Sequence, residues 1–243
     1  MSLQKTLPME KLIVPAVSQT YPTLGKSYKH AGHEIEYSPR LVRTGKDYHA
    51  SKAGITGGER MSTAAEELAI QLGLERAGQD PRTAGVFDDL FARNEPRIYM
   101  WQWTETGLRV PKGRDPRKYE TNGQGEKYWV RELLIGSDTV GEILVPEGHG
   151  RVVVEWDEVS GLPRATEDIA FPHKPYTTHF WFNVNPGKDR VSGYQDVAVG
   201  RGGGWLRDED ARCLVVDASF ARSDALSDGG FRPVRGSLVD IRN

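Results

Sequence analysis

The chain has 243 residues, with 32 Lys and Arg against 34 Asp and Glu and a formal net charge of −2. That balance excludes a general electrostatic affinity for nucleic acid or anionic membrane, which needs a basic surplus. No run approaches the roughly 20 apolar residues of a membrane-spanning helix, and one cysteine, Cys213, rules out an internal disulfide framework or a multi-cysteine zinc site.

In chain order, the N-terminus carries Lys5, Glu10 and Lys11, charges that interrupt any signal-peptide core. The reading is therefore of a protein made in the cytoplasm without a signal peptide. Residues from 1 to about 40 show no clear pattern and read as an N-terminal extension. GKDYHASKAG (45–54) has the composition of a short helix ending at Gly54. STAAEELAIQLGLERAG (62–78) is the clearest helix: Thr63 and Glu66 stand at capping-box spacing, and Ala65, Leu68, Ala69 and Leu72 share one face. PRTAGVFDDLFARN (81–94) places Val86, Leu90 and Phe91 at helical spacing.

Beyond about residue 97 the pattern turns to strands: RIYMWQW (97–103), KYWVRELLI (127–135), EILV (142–145), RVVVEW (151–156), THFWFNV (178–184), CLVVDAS (213–219) and FRPVRG (231–236). The stretch 107–126 reads as a long polar loop or insertion. Because these strands do not alternate with helices, a doubly wound parallel sheet is excluded. The fold class is α+β, with few helices packed on a mostly antiparallel, loop-rich sheet.

RGGGWLRDEDARC (201–213) tests as a phosphate cradle and fails. A P-loop needs a lysine and a Ser/Thr partner, and a dinucleotide fingerprint needs a third glycine where Trp205 or Arg207 stands. Asp208, Glu209 and Asp210 would also repel a phosphate. A tight turn that brings backbones together, with Trp205 as its anchor, fits better.

The pair GGGW and GGFRPVRG, with 31 residues from Gly202 to Arg232 inclusive, resembles the end of the formylglycine-generating-enzyme branch of the C-type lectin fold. Two further segments resemble that branch in the expected order: GGERMSTAAEELA (57–69), similar to its GKRLPTEAEWEYA, and WQWTE (101–105), similar to its WEWT. The resemblance implies one C-type-lectin-like domain over residues 1–243, with the extension at about 1–40 and an insertion at about 107–170. It makes Gly202, Gly203, Trp205, Gly230, Phe231 and Arg232 structural anchors.

The copper-dependent oxidases of that branch use two cysteines after the GGSW turn. Here Arg207 stands near the first position and only Cys213 near the second, so one chain cannot build the two-thiolate site. Cys213, opening an apolar run, reads as a buried structural thiol, and the acidic run 208–210 as a solvated loop. His30 and His33, with Gly32 between them, read as a solvated loop pair, and His173 and His179 as strand-end polar residues. No metal or cofactor is assigned.

The same branch includes the variable proteins of diversity-generating retroelements, in which selected codons between the glycine-tryptophan turn and the GFR end are rewritten. Its usual spacing puts the variable, ligand-binding positions at Leu206, Arg207, Asp208, Asp210, Asp217, Ser219, Phe220, Asp224, Leu226 and Asp228. Cys213, Leu214, Val215, Val216, Ala218 and Ala221 would be scaffold. Strand alternation would turn Asp217 and Ser219 away from the core. The expectation is a non-enzymatic recognition protein, displayed on a viral particle or cell surface. Its partner would be a protein or glycan on a target cell or particle, with no nucleic acid and no membrane insertion, and it is compatible with a homo-oligomer. The alternatives are a metal-dependent oxidase related to formylglycine-generating enzyme, and a structural subunit of a larger particle.

Overall fold

The computed structural model describes residues 9–78, 101–122, 125–154, 156–163, 176–202, 216–226, 229–238 and 241–242. The patternless N-terminal stretch forms four strands: β1 (Glu10–Val14), β2 (Val17–Tyr21), β3 (Lys26–His30) and β4 (His33–Tyr37). Each is five residues long, and KSYKH and HEIEY bury only alternate positions, Tyr28 and His30 in one and Ile35 and Tyr37 in the other. Two buried residues per strand are too few for a periodic signal to stand out. His30 and His33 are strand ends rather than a solvated loop pair. His30 is 4% exposed, and His33 Nε2 lies 3.3 Å from Glu66 Oε1.

β5 (Val42–Arg43) leads to α1 (Tyr48–Ala53), where Asp47 Oδ1 caps the helix by accepting from the Ala50 N–H at 2.7 Å, and the helix stops at Gly54 as its sequence predicts. After β6 (Glu59–Met61) comes α2 (Ala64–Arg76), whose capping box is complete. The Glu66 N–H donates to Thr63 Oγ1 at 3.1 Å, and the Thr63 N–H donates to Glu66 Oε2 at 2.8 Å. The single apolar face predicted for this helix is only part of what it buries. Ala64 and Leu68 join one core cluster while Ile70, with Ala69 and Leu74, joins another. α2 lies between two cores, so Glu66, Glu67 and Gln71 are buried as well. The helix predicted at 81–94 lies outside the described residues.

β7 (Trp101–Arg109) carries the WQW segment onward through Gly107, so the polar loop expected from 107 starts later and is broken by β8 (Glu120–Thr121). β9 (Lys127–Ile135) has its predicted bounds. It turns through Gly136, at φ 65°, into β10 (Asp138–Pro146), which starts earlier than the predicted strand because a two-residue hairpin with a left-handed first residue extends the ladder to its end. β11 (His149–Val154), β12 (Trp156–Asp157) and β13 (Leu162–Pro163) precede β14 (Tyr176–Phe182), within which His179 lies. β15 (Asp196–Gly202) follows and ends on the first glycine of the run. β16 (Val216–Ala218), β17 (Gly229–Phe231), β18 (Pro233–Arg235) and β19 (Ile241–Arg242) complete the described strands. Arg232 interrupts the predicted 231–236 strand into β17 and β18.

The architecture is thus mostly strands with two α-helices among the described residues. A ten-stranded sheet has the path β10-β9-β7-β15-β16-β14-β11, with β17, β5 and β8 attached; a four-stranded sheet runs β1-β4-β18-β6; smaller sheets are β19-β3-β2 and β12-β13. Pairing is antiparallel except for β14 with β16 and β17 with β7. Both ends of the chain are woven together, β4 against β18 and β3 against β19. The segment 107–170 supplies β9 and β10, one flank of the large sheet. The main core fills the space under that sheet, from Leu133, Val145, Phe180 and Val199 to Tyr21 and Tyr28 of the N-terminal strands and Leu68 of α2. No helix among the described residues is long and apolar enough to cross a membrane.

Candidate recognition site

Alternation along β14 and β16 decides what faces where. Phe180 and Phe182 pair with Val216 and Ala218, and all four are buried in the main core. Trp181 and Asp217, between them, form the pair on the opposite face. The ladder continues from Asp217 to Gly200 of β15 and from Gly200 to Trp103 of β7. A Cβ on Gly200 would lie 3.7 Å from Cε3 of Trp101, so the absence of a side chain leaves the Trp101 ring to cover that strand. Trp101 clusters with Trp181 and Leu226, and Phe220 meets it edge-on, ring centroids 6.1 Å apart at 68°. The result is a cradle of three aromatic rings and a leucine on the sheet face that carries Asp217.

The Asp217 carboxyl closes a local turn with Ser219. Asp217 is 5% exposed; its Oδ1 accepts from the Ser219 N–H at 2.7 Å and from the Ser219 hydroxyl. Oδ2 has no partner among the described residues. Burial pushes the Asp217 carboxyl above its ordinary value, against the opposing pull of the Ser219 hydrogen bonds. Asp217 lies between the core residues Val216 and Ala218, as alternation predicts, but it is 5% exposed instead of being offered to solvent.

The loop above the cradle is held by backbone hydrogen bonds on several sides. The Ala198 N–H donates to Phe220 O at 3.1 Å, the Tyr48 N–H to Arg222 O at 3.1 Å, and the Gly45 N–H to Gly229 O at 2.9 Å. Asp224, exposed at the rim, accepts from the Ala221 N–H at 2.8 Å. Arg222 turns inward: Nη1 donates to Gly136 O at 2.9 Å and the guanidinium lies 4.6 Å from the centre of the Tyr48 ring. Gly107 makes room for it, since a Cβ there would sit 2.2 Å from Nη2.

The far end of the segment is fixed by charge. Arg232, buried, donates from Nε to both oxygens of Glu67 at 2.9 and 3.2 Å, and from Nη1 to Ser38 O at 2.7 Å. Phe231 packs with Met61, Trp103 and Tyr48. Gln102 Nε2 donates to Ser62 Oγ at 3.0 Å, and the Ala64 N–H to Thr106 Oγ1 at 2.9 Å. The described parts of the four segments that carry the family resemblance therefore adjoin one another. β7 lies between β15, which ends at Gly202 opposite Trp101, and β17, which carries Gly230 and Phe231.

No family model, curated protein or solved structure matches the chain.

Of the residues assigned from sequence, the structure gathers Asp217, Ser219, Phe220, Asp224 and Leu226 at one place, on the scaffold of Val216, Ala218 and Ala221, which are buried. Gly202 pairs with Trp101, Gly230 with Arg43 and Gln102, Phe231 with Val42 and Trp103, and Arg232 donates to Glu67. Gly203, Trp205, Leu206, Arg207, Asp208, Asp210 and Asp228, with Glu209, His173, Cys213, Leu214 and Val215, lie outside the described residues. Sequence reasoning missed Trp101, Trp181, Gly200 and the Glu67 partner of Arg232. The FWF order of β14 held a signal for Trp181, since a strand that buries both phenylalanines must show the tryptophan on its other side. Among the described residues no group of three or more His, Cys, Asp or Glu is placed to hold a metal ion.

Proposed function

We propose that the protein is a non-enzymatic recognition protein of C-type-lectin-like fold, of the diversity-generating retroelement variable type, whose binding surface is the segment 206–228. The observation that supports the reading is the convergence just described: the described parts of four short resembling segments, distant in sequence, adjoin through β7, Ser62 and the Glu67–Arg232 pair. Between those anchors, Asp217, Ser219, Phe220, Asp224 and Leu226 occupy a loop on a rigid sheet, the arrangement from which binding surfaces are usually built. The partner is a protein or glycan displayed by a target cell or particle.

Deep sequencing of the gene across a natural population tests the variable character. Substitutions concentrated at codons 206–228, with a nearby template copy differing only at adenines, support it; a uniform segment with no template copy overturns it. Recognition is tested with arrays of glycans and purified cell-surface proteins. Hits of the wild type should vanish for the triple variant Ser219→Ala, Asp224→Ala, Leu226→Ala, with little change in melting temperature. Stoichiometric copper or iron in the purified protein would instead point to an oxidase.

A further inference from the structure

We infer that the turn at 187–195, fastened beside the loop at 219–226, is a docking surface for an acidic segment of a protein partner. The inference rests on the recognition reading and narrows its partner from protein or glycan to protein.

The sequence GKDRVSGYQD (187–196) holds two cations and two acids and so carries no net charge. The structure separates the signs. Asp189, its side chain fully buried, has His49 Nε2 at 3.1 Å from both oxygens, accepts from the Ser192 N–H at 2.8 Å and is bonded by the Ser223 hydroxyl. Asp196, also buried, accepts from Arg109 Nε and Nη2 at 2.7 and 2.9 Å and from the Ser192 hydroxyl at 3.0 Å. Both acids are turned inward and occupied. Lys188 and Arg190 are exposed, and neither side chain forms an ion pair among the described residues. Of its four charged side chains the turn shows solvent only the two cations.

The same turn carries two of the large apolar side chains that stay exposed, Val191 at 69% and Tyr194 at 51%. Single exposed apolar residues are ordinary, but these two stand three positions apart on a backbone of fixed shape. The Asp189 N–H donates to Tyr194 O and the Gly193 N–H to Asp189 O, each at 2.8 Å. Gly193, at φ 72°, supplies the left-handed residue that closes the turn. The Arg109 guanidinium, held by Asp196, lies 4.4 Å from the centre of the Tyr194 ring and braces it from one side. A tyrosine ordered before binding loses little entropy on contact, which is how interface aromatics come to dominate affinity.

Two observations choose the occupant. Lys188 and Arg190 flank Val191 and attract carboxylates, while Val191 and Tyr194 call for apolar side chains to cover them. An acidic polysaccharide meets the cations but has no aliphatic side chain for Val191. The second observation is continuity with the proposed recognition loop. The Arg190 N–H donates to Ser223 Oγ at 3.1 Å, and the Ser223 hydroxyl reaches Asp189, so the turn and the loop at 219–226 form one surface. Exposed Asp224 on that loop repels an acidic segment and so favours its placement on the turn.

The test selects a displayed library of random peptides on the immobilised full chain and measures the enriched peptides, resynthesised, by fluorescence anisotropy. The expected peptides combine Asp or Glu with a large apolar residue, and added salt weakens their binding. Their affinity should fall about tenfold or more for Lys188→Gln with Arg190→Gln, and again for Val191→Ser with Tyr194→Ser. All four side chains are exposed, so both double variants should keep the wild-type melting temperature. No enrichment, enriched peptides without acidic residues, or binding undiminished by either double variant would overturn the proposal. So would heparin binding in place of peptide binding, lost with the cations but unchanged by Val191→Ser with Tyr194→Ser, which would mark a site for an acidic glycan. Those outcomes leave the recognition reading standing if the Ser219→Ala, Asp224→Ala, Leu226→Ala variant still loses its array targets, so the two failures can be told apart.

Discussion

Glu67 and Asp217 are both buried carboxylates, each within one strand or helix of β7, yet their surroundings differ in kind. Glu67 is met by the Arg232 guanidinium at both oxygens, inside a region where the neighbouring capping box and Ser62 also have their partners. Asp217 is met by Ser219 at Oδ1 and forms no ion pair among the described residues. A buried charge met by a cation holds the fold together, whereas one that burial raises without a cationic partner is held at a cost to stability. The contrast separates a buttress, made by α2 and the GFR end, from the proposed recognition face of β14, β16, β15 and the loop at 219–226.

The largest effect should come from the buttress. Arg232→Met leaves Glu67 buried without its cation and should cost about 3–5 kcal/mol in urea unfolding. Adding Glu67→Leu should return most of that loss, because a buried ion pair exchanged for apolar side chains is often near neutral. A cost for Arg232→Met below about 1 kcal/mol, the value of an exposed pair, would break the comparison at its root. Thr63→Ala removes one half of the capping box and should cost about 1 kcal/mol by the same measurement.

The two regions should also answer pH with opposite sign. Burial pushes the Glu66 carboxyl up, but hydrogen bonds from Arg60 and His33, the Arg60 charge and the Thr63 N–H outweigh it and hold it at about 2. A folded value below the unfolded one means that its stabilisation is present above the ordinary carboxylate range and is lost as pH falls toward about 2. Asp217 is raised by burial, so its contribution is most favourable below the ordinary Asp range and is lost as pH rises through the raised value. Thermal melts against pH should therefore show Asp217→Asn gaining on the wild type as pH rises, while Glu66→Gln loses its disadvantage as pH falls. Parallel curves for Asp217→Asn and wild type would show that the carboxyl is not held in an unfavourable place. The smallest effect is expected at Gly200→Ala, where the added methyl meets only ordinary contacts and should change unfolding free energy by less than about 1 kcal/mol. A loss well beyond that would mean the floor of the cradle is closed already.

How much of this was legible in the sequence varied with the range of the interactions. The capping box of α2, the Gly54 stop of α1 and the bounds of β9 depend on neighbours within a turn or a strand, and they could be read from spacing. The N-terminal strands could not, because five-residue segments with one or two buried side chains each carry little periodic signal, and β18 and β19, almost the full chain away, complete the ladders of β4 and β3. For the recognition site, the sequence marked Asp217, Ser219, Phe220, Asp224 and Leu226 as one segment. It gave no sign that Trp101 and Trp181, from two other strands, would cluster on the same face.

Local chemistry alone determined the helix caps, the turn at Gly136, the α+β character and the failure of the glycine run as a phosphate cradle. Each follows from backbone hydrogen bonds, charge and sterics within a few residues. Only the tertiary structure decided that α2 would lie between two cores, that Arg232 would find Glu67, and that Asp217 would be buried without a cation. A buried charge takes its role from whichever distant side chains the packing brings to it, and one carboxylate came to rest against a guanidinium while the other did not.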